Sequence, residues 1–290
     1  MNRTIIVTGS NGQLGSELRD LAVAYPGYNF AFFDRQEMPI NSEAVVRNQF
    51  EKLKPSFLLN CAAYTAVDQA ESDREAANDI NGMAVGMLAA LCREFGTRFL
   101  HVSTDYVFNG LTNKPLTETD AVDPVNAYGA SKLLGEKLAL EQNPDSIIIR
   151  TSWVYSSYGK NFVKTMMRLM RERESINVVS DQFGSPTYAA DLAALIMVIV
   201  EAPEWQPGIY HFSNEGIISW FDFALAIREL TGASCQVNPI ATEQYPTPAR
   251  RPAYSVMDKT KISQAYGITP TNWKQSLGVC ISRLDAQIIS

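Results

Sequence analysis

Short apolar runs alternate with longer amphipathic segments along the first half of the chain. The runs are rich in β-branched and aromatic residues and contain few polar positions, which is typical of strands that helices cover on both faces. Strands are predicted at residues 4–8, 30–33, 57–60, 99–103 and 147–150. Helices are predicted between them at residues 13–25, 42–52, 76–95 and 128–141. This alternation predicts an α/β protein with a doubly wound parallel sheet.

The pattern changes after residue 150, where loops rich in Gly, Pro, Asn and aromatic residues become longer. Helical patterns continue at residues 162–173, 189–201 and 220–231. We interpret residues 1–150 as the main domain and residues 151–290 mainly as a smaller C-terminal α/β lobe. We also expect some later segments to return to the main sheet.

The composition narrows the class of protein. Of the 290 residues, 46% are hydrophobic and 19% are charged, as in an ordinary soluble globular protein. The net charge of −6 argues against a nucleic acid as the main partner. Four well-separated cysteines and only two histidines predict neither a disulfide framework nor a metal site, so no metal is assigned.

No segment of the sequence predicts a membrane protein. The first residues lack the apolar length of a signal peptide and lead directly into the first predicted strand. The longest apolar stretch, residues 192–200, is far shorter than the ~20 residues that span a bilayer. We therefore expect a cytoplasmic protein without a membrane partner.

Three glycines lie between the first predicted strand and the first predicted helix. Gly9, Gly12 and Gly15 have the spacing G-x-x-G-x-x-G. Glycines at such a turn let the backbone approach a pyrophosphate, and the N-terminus of the following helix offers amides and a positive dipole. The context predicts a dinucleotide-binding, Rossmann-type domain over residues 1–150, although glycine loops also occur without a ligand.

Two charged residues follow the second predicted strand. Asp34 lies 19 residues after Gly15, close to the ~20 expected for a carboxylate that binds the adenosine ribose of NADH. Arg35, beside it, is suited instead to the 2′-phosphate of NADPH. The two residues favour different cofactors, so the sequence leaves both NADPH and NADH open.

A tyrosine and a lysine four residues apart open the predicted helix at 128–141. Tyr128 and Lys132 share a helix face, and a cation near a phenol lowers its pKa from the usual ~10. Tyr128 could then donate a proton to a carbonyl oxygen while Lys132 holds the nicotinamide ribose. Thr104, at the end of the fourth predicted strand, is placed to polarise the same oxygen, although Thr-Asp pairs also serve as simple turns.

These motifs carry a resemblance over nearly the full length. The chain resembles the extended short-chain dehydrogenase/reductases and, within that family, the dTDP-4-dehydrorhamnose reductases. The stretches that carry the resemblance are VTGSNGQLG at 7–15, NCAAYTAVD at 60–68, HVSTDYVF at 101–108, YGASK at 128–132, RTSWVY at 150–155, DQFGSPT at 181–187 and RRP at 250–252.

The resemblance implies NADPH- or NADH-dependent reduction of the C4 ketone of dTDP-4-dehydro-L-rhamnose to dTDP-L-rhamnose. It implies that Tyr128 is the proton donor, Lys132 its partner and Thr104 the hydroxyl that orients the carbonyl. Asp105 and Trp153 would contact the sugar. The residues implied in cofactor binding are Gly9, Gly12, Gln13, Leu14, Gly15, Asp34, Arg35, Ile40, Ala62, Ala63, Tyr64 and Thr65, together with Tyr128 and Lys132.

Some assignments are less direct. The family often has an Asp-Ile pair near the adenine where this chain has Pro39-Ile40, so only the packing of Ile40 on the ring is expected. Arg250, in a loop flanked by prolines, is a candidate for the diphosphate of the dTDP-sugar, with solvated surface charge as the alternative.

The open alternatives concern assembly and activity. A monomer and a homodimer are both compatible with the sequence. The alternative activities are reduction or epimerisation of another nucleotide sugar, and a non-catalytic, nucleotide-binding regulatory subunit.

Overall fold

The computed structural model describes the backbone of residues 3–289 and the side chains of residues 3–286. The strands are β1 (Arg3–Thr8), β2 (Tyr28–Phe33), β3 (Phe57–Asn60), β4 (Arg98–Thr104), β5 (Ile147–Thr151), β6 (Val154–Tyr155), β7 (Ser175–Val179), β8 (Phe183–Gly184), β9 (Thr187–Tyr188), β10 (Gly208–His211), β11 (Ile218–Ser219) and β12 (Gln236–Ile240). The α-helices are α1 (Gln13–Ala22), α2 (Glu43–Leu53), α3 (Arg74–Asn78), α4 (Ala84–Phe95), α5 (Ala127–Gln142), α6 (Phe162–Glu172), α7 (Ala189–Glu201), α8 (Trp220–Thr231), α9 (Thr260–Tyr266) and α10 (Trp273–Ile289).

The main sheet has six strands in the order β10-β5-β4-β3-β1-β2, and every neighbouring pair is parallel. The predicted doubly wound, Rossmann-type α/β fold is therefore confirmed. The strand order reverses between β1 and β3, so a crevice opens beyond the carboxyl ends of these two strands. Ligands of open α/β sheets bind in such a crevice.

Both faces of the sheet are buried, which explains why the strands are apolar at successive positions. Ile5 and Val7 of β1 face the side covered by α1 and α7, while Ile6 faces the side covered by α2 and α4. All three side chains are fully buried. Because successive strand residues point to opposite faces, only a sheet covered twice needs apolar residues at both.

The predicted helix at 76–95 is interrupted in the structure. A π-helical turn, Asp79–Met83, separates α3 from α4. This region packs tightly on α5, where a Cβ at Gly135 would collide with the carbonyl of Asn81 and a Cβ at Gly82 would lie 2.6 Å from Leu134. Glycines thus allow the backbones of the two helices to approach closely. The first helix also ends earlier than predicted, at Ala22, four residues before Pro26.

Segments that follow residue 150 pack in two places, in a separate core and on the main sheet. The side chains of α6, α8 and α10 form a core of their own with the parallel pair β7–β12. In contrast, α7 and α9 pack on the main sheet, and β10 pairs with β5 at its edge. Among the helices in the described part of the chain, none has the length and apolar character needed to cross a membrane.

Candidate active site

The glycine turn after β1 forms a cradle that side chains would fill. Gly9 has φ +64°, and a Cβ there would lie 2.8 Å from the backbone of Ala62, while a Cβ at Gly15 would collide with the carbonyl of Gly9. No side chain caps α1 at Gly12, and the buried Ser10 hydroxyl has no hydrogen-bond partner among the described residues. The turn therefore fits a dinucleotide pyrophosphate, with amides available at the start of α1, where Gln13 and Leu14 lie.

Gly9→Ala is expected to weaken the folded state and NADPH binding together. Alanine at φ +64° costs about 1–2 kcal/mol, and the new methyl would displace the backbone of Ala62 from the crevice. Thermal unfolding and fluorescence titration with NADPH measure the two effects. Gly27→Ala is the matched control, because a Cβ at Gly27 meets no atom within 4 Å. An unchanged NADPH affinity in Gly9→Ala would contradict the assignment of this turn to the cofactor.

The residues predicted near the adenosine end differ in environment. The Asp34 carboxylate accepts hydrogen bonds from the amides of Gln36 and Glu37, at 2.8 and 3.0 Å, and from Asn11 Nδ2 at 2.9 Å. The two amides, more than Asn11, lower the pKa of Asp34, so it carries a negative charge at neutral pH. Arg35 is exposed, whereas Ile40 is buried in the core of the main domain.

The loop after β3 is held by an asparagine that the sequence did not single out. Asn81, in the π-helical turn, accepts a hydrogen bond from the Tyr64 amide at 2.8 Å and donates to the Tyr64 carbonyl at 3.0 Å. Its Nδ2 also donates to Ser131 Oγ of α5 at 3.0 Å. Asn81 thereby joins the loop to the helix that carries Tyr128, with Ala63 half-buried and Thr65 exposed beside it. A π-turn is a local feature that often marks functional sites, but the residue pattern does not predict it.

Thr104, Asp105 and Tyr128 meet beyond the carboxyl end of β4. Thr104 Oγ1 donates to Asp105 Oδ1 at 3.0 Å, accepts from the Tyr106 amide at 3.2 Å, and lies close enough to the Tyr128 phenol to lower its pKa. Asp105 is buried, and its Oδ2 makes no direct hydrogen bond with another described residue. Burial raises the pKa of Asp105 to about 6, and the nearby hydroxyls of Ser255 and Thr104 only partly oppose this rise. The site thus combines two hydroxyl groups with a buried carboxylate oxygen that is free to accept a hydrogen bond from a ligand.

The expected effect of Lys132 on Tyr128 is not found. Burial raises the pKa of Tyr128 to about 12, and the hydrogen bond with Thr104 only partly opposes this rise. The Lys132 ammonium instead bonds the Val102 carbonyl at 2.7 Å and His101 Nε2 at 3.2 Å. Burial also lowers the pKa of Lys132 to about 8. Tyr128 is therefore a neutral phenol at pH 7, the form that can donate a proton.

A chain of four buried polar side chains runs beneath the crevice. Thr8 Oγ1 lies 2.6 Å from Asn60 Oδ1, Asn60 Nδ2 lies 2.9 Å from His101 Nδ1, and His101 Nε2 meets Lys132. Each of the four has at most 1% of its surface exposed. Thr8, Asn60 and His101 are polar residues within otherwise apolar strands, and this is the signal of the cluster in the sequence.

A second buried polar cluster lies further along α5. Arg150 Nη2 and Glu136 Oε2 form an ion pair at 2.7 Å, with both side chains 2% exposed. The ring of His211 lies 3.5 Å from Arg150 Nη1 and 3.1 Å from the Leu116 carbonyl. Burial, aided by Arg150, lowers the pKa of His211 to about 3, so this histidine is neutral. Both histidines of the chain are thus buried beside a cation.

Two predicted substrate contacts belong to the lobe. Trp153 has φ +48°, which is unusual for a side chain of this size, and its ring stacks on Trp220 with centroids 3.6 Å apart. Arg250 is exposed and lines a cavity of about 440 Å³ together with Asn109 and Tyr245. Its neighbour Arg251 forms an ion pair with Asp68 at 2.9 Å, so its charge is already matched.

The chain is similar to proteins of a known family over nearly its whole length. A model of the RmlD substrate binding domain matches residues 3–286. A dTDP-4-dehydrorhamnose reductase of Burkholderia thailandensis is 44% identical, over 98% of this chain and 99% of the relative. The protein of the same name from Aggregatibacter actinomycetemcomitans is 43% identical, over 94% and 96%.

A solved structure supports the same conclusion. The dTDP-4-dehydrorhamnose reductase of Bacillus anthracis, determined in complex with NADP, superimposes with a TM-score of 0.94 at 37% identity. The match covers 98% of this chain and 100% of that one. The predicted resemblance is thereby confirmed: the chain belongs to the RmlD substrate binding domain family and is an NAD(P)H-dependent oxidoreductase of the dTDP-4-dehydrorhamnose reductase type.

Proposed function

We propose that the protein reduces the C4 ketone of dTDP-4-dehydro-L-rhamnose to dTDP-L-rhamnose, with Tyr128 as the proton donor. The observation that carries the proposal is the meeting of Thr104, Asp105 and Tyr128 at the sheet edge where the glycine cradle lies. The names of its relatives support the substrate, and the NADP complex of a relative supports the cofactor.

The chain's own residues supply orientation and a proton. A reduced nicotinamide, when bound, supplies the hydride. The hydroxyls of Thr104 and Tyr128 hydrogen bond the ketone oxygen, which polarises the carbonyl. The Tyr128 phenol then gives its proton to that oxygen as negative charge develops there. Lys132, buried beneath the crevice, offers an N–H group to the ribose.

Asp105 is suited to hold a sugar hydroxyl. Its Oδ2 is buried and makes no hydrogen bond with any other described residue, so a sugar hydroxyl that donates to it would stabilise the complex. Trp153 offers a flat apolar surface, and Arg250 offers a cation for the diphosphate. We infer that residues 151–290 mainly form the part that binds the dTDP-sugar.

The direct test follows the absorbance of NADPH and, separately, NADH at 340 nm with dTDP-4-dehydro-L-rhamnose. The expected result is oxidation of the cofactor with formation of dTDP-L-rhamnose, the product being identified by NMR. The C4 configuration of the product separates this activity from that of a reductase with the opposite stereochemistry. Isomerisation without net cofactor oxidation would indicate an epimerase, and tight NADPH binding without turnover would indicate a regulatory subunit.

A further inference from the structure

We propose that His101 is a positioning residue that holds Lys132 in both of its protonation states by exchanging its ring proton between Nδ1 and Nε2, and that it favours the ammonium because that hydrogen bond is charge-assisted. The starting observation is that His101 is fully buried between two side chains, with Lys132 Nζ 3.2 Å from Nε2 and Asn60 Nδ2 2.9 Å from Nδ1. Burial and the neighbouring ammonium hold the pKa of His101 well below its usual range, so the ring is neutral and carries one proton.

The position of that proton depends on the charge of Lys132. A protonated ammonium has only donors, so Nε2 must accept from it and the ring proton must lie on Nδ1. Asn60 then turns its oxygen to Nδ1–H, and its Nδ2 donates to Thr8 Oγ1, which also accepts from the Ala62 amide at 3.3 Å. The Lys132 ammonium, the His101 Nδ1–H and the Asn60 Nδ2 that faces Thr8 each find an acceptor in this arrangement.

The Asn60 amide as placed, with its Nδ2 facing His101 Nδ1, corresponds to the neutral amine. Here Thr8 donates to Asn60 Oδ1, Asn60 Nδ2 donates to Nδ1, and Nε2–H donates to the lone pair of Lys132. The two arrangements differ by a half-turn of the Asn60 amide and by the tautomer of His101. Lys132 therefore has a complete set of partners in both protonation states, although it is buried.

The consequence is a lysine that is buried and still positively charged at pH 7. Besides His101, the titratable groups facing Lys132 are Glu136, one turn along α5, and Cys61 after β3. Burial raises the pKa of the Cys61 thiol to about 12, so Cys61 is neutral at pH 7. With Nζ held by Val102 and His101, one of its three N–H groups remains for a ligand. The proposal gives a cause for the function of Lys132 assumed above, and it can be tested without substrate.

The test measures the Lys132 charge directly in the full-length protein without added nucleotide. Lysine side chains are labelled with ¹³C at Cε, and the Lys132 resonance is the one lost in Lys132→Met. The wild-type titration midpoint is expected near pH 8. His101→Asn keeps an amide near the Nδ1 position but removes the partner of Lys132, so the midpoint is expected to fall by about one pH unit, the worth of one charge-assisted hydrogen bond.

Two variants serve as controls. In His101→Gln the side-chain amide reaches the position of Nε2, so the midpoint is expected to return close to that of the wild type. In His211→Gln the other buried histidine is changed, but it faces Arg150 and not Lys132, so the midpoint is expected to stay unchanged. Equal midpoints in His101→Asn and the wild type would overturn the proposal, as would an equal fall in His101→Asn and His101→Gln.

A measurement on the wild type makes the test independent of the folding of any His101 variant. With ¹⁵N-labelled histidine, the proton of His101 is expected on Nδ1 below the Lys132 midpoint and on Nε2 above it. His211→Gln identifies the two ring signals, because the chain has only two histidines. A single tautomer across the Lys132 titration would overturn the proposal. Neither NMR result depends on turnover, so the identity of the substrate can fail separately.

Discussion

Tyr128→Phe is expected to reduce kcat by about 10²- to 10⁴-fold while leaving NADPH binding nearly unchanged. The substitution removes only the phenol oxygen, and proton transfer by a positioned side chain contributes a factor of this size. The ring stays packed edge-on against Tyr106, with centroids 5.9 Å apart, so the fold has no reason to change. The measurement is kcat and KM with dTDP-4-dehydro-L-rhamnose, together with fluorescence titration of NADPH.

Tyr106→Phe is the matched control for this variant. It removes a phenol oxygen from a half-buried tyrosine that touches Tyr128 but does not bond Thr104 through its hydroxyl. Most of the activity is therefore expected to remain. A kcat of Tyr128→Phe within tenfold of the wild type would refute Tyr128 as the proton donor.

Asp105→Asn is expected to lower activity and raise stability at neutral pH. The pKa of Asp105 is about 6 in the folded protein, against an ordinary value of 3.8. The folded state therefore binds more protons than the unfolded state between these pH values, and stability falls as the pH rises through this window. The difference corresponds to roughly 3 kcal/mol above pH 6, so removal of the charge should raise the melting temperature by several degrees at pH 7.5.

The loss of activity has a different cause. An amide oxygen accepts a weaker hydrogen bond than a carboxylate, so kcat/KM is expected to fall by about 10- to 100-fold. Melting temperatures at pH 4.5 supply the control: Asp105 is largely protonated there in the folded protein but still mostly ionised in the unfolded chain, so the difference between the two proteins should shrink to about one third. A variant less stable than the wild type at pH 7.5 would show that the Asp105 carboxylate stabilises the fold, contrary to the prediction that it lowers stability and serves to bind the ligand.

The sequence predicted the elements whose local pattern and global environment agree. The strands of the main sheet are buried on both faces, so their composition alone marks them, and β3 begins and ends where expected. The tight turn at Gly9 could also be predicted, because backbone with φ +64° strongly favours glycine. Thr104 and Tyr128 meet as the motif order predicted.

The features that were not predicted depend on partners distant in sequence. The π-helical turn reflects close packing of Asn81 and Gly135, 54 residues apart, which no local pattern encodes. Lys132 is hydrogen-bonded to His101 and to the Val102 carbonyl, both on β4, and its spacing from Tyr128 on the helix gives no indication of these contacts. A shared helix face brings two side chains within reach, but burial decides which polar atoms they must bond.

The place of β10 at the sheet edge has a consequence for synthesis of the chain on the ribosome. Until Gly208–His211 has been made, the outer edge of β5 presents free amide and carbonyl groups to its surroundings. Such an edge is a template for pairing with other chains, and parallel pairing between distant segments forms slowly. A nascent or truncated product that stops near residue 150 is thus an aggregation hazard, and chaperones would be needed longest in the interval before β10 emerges.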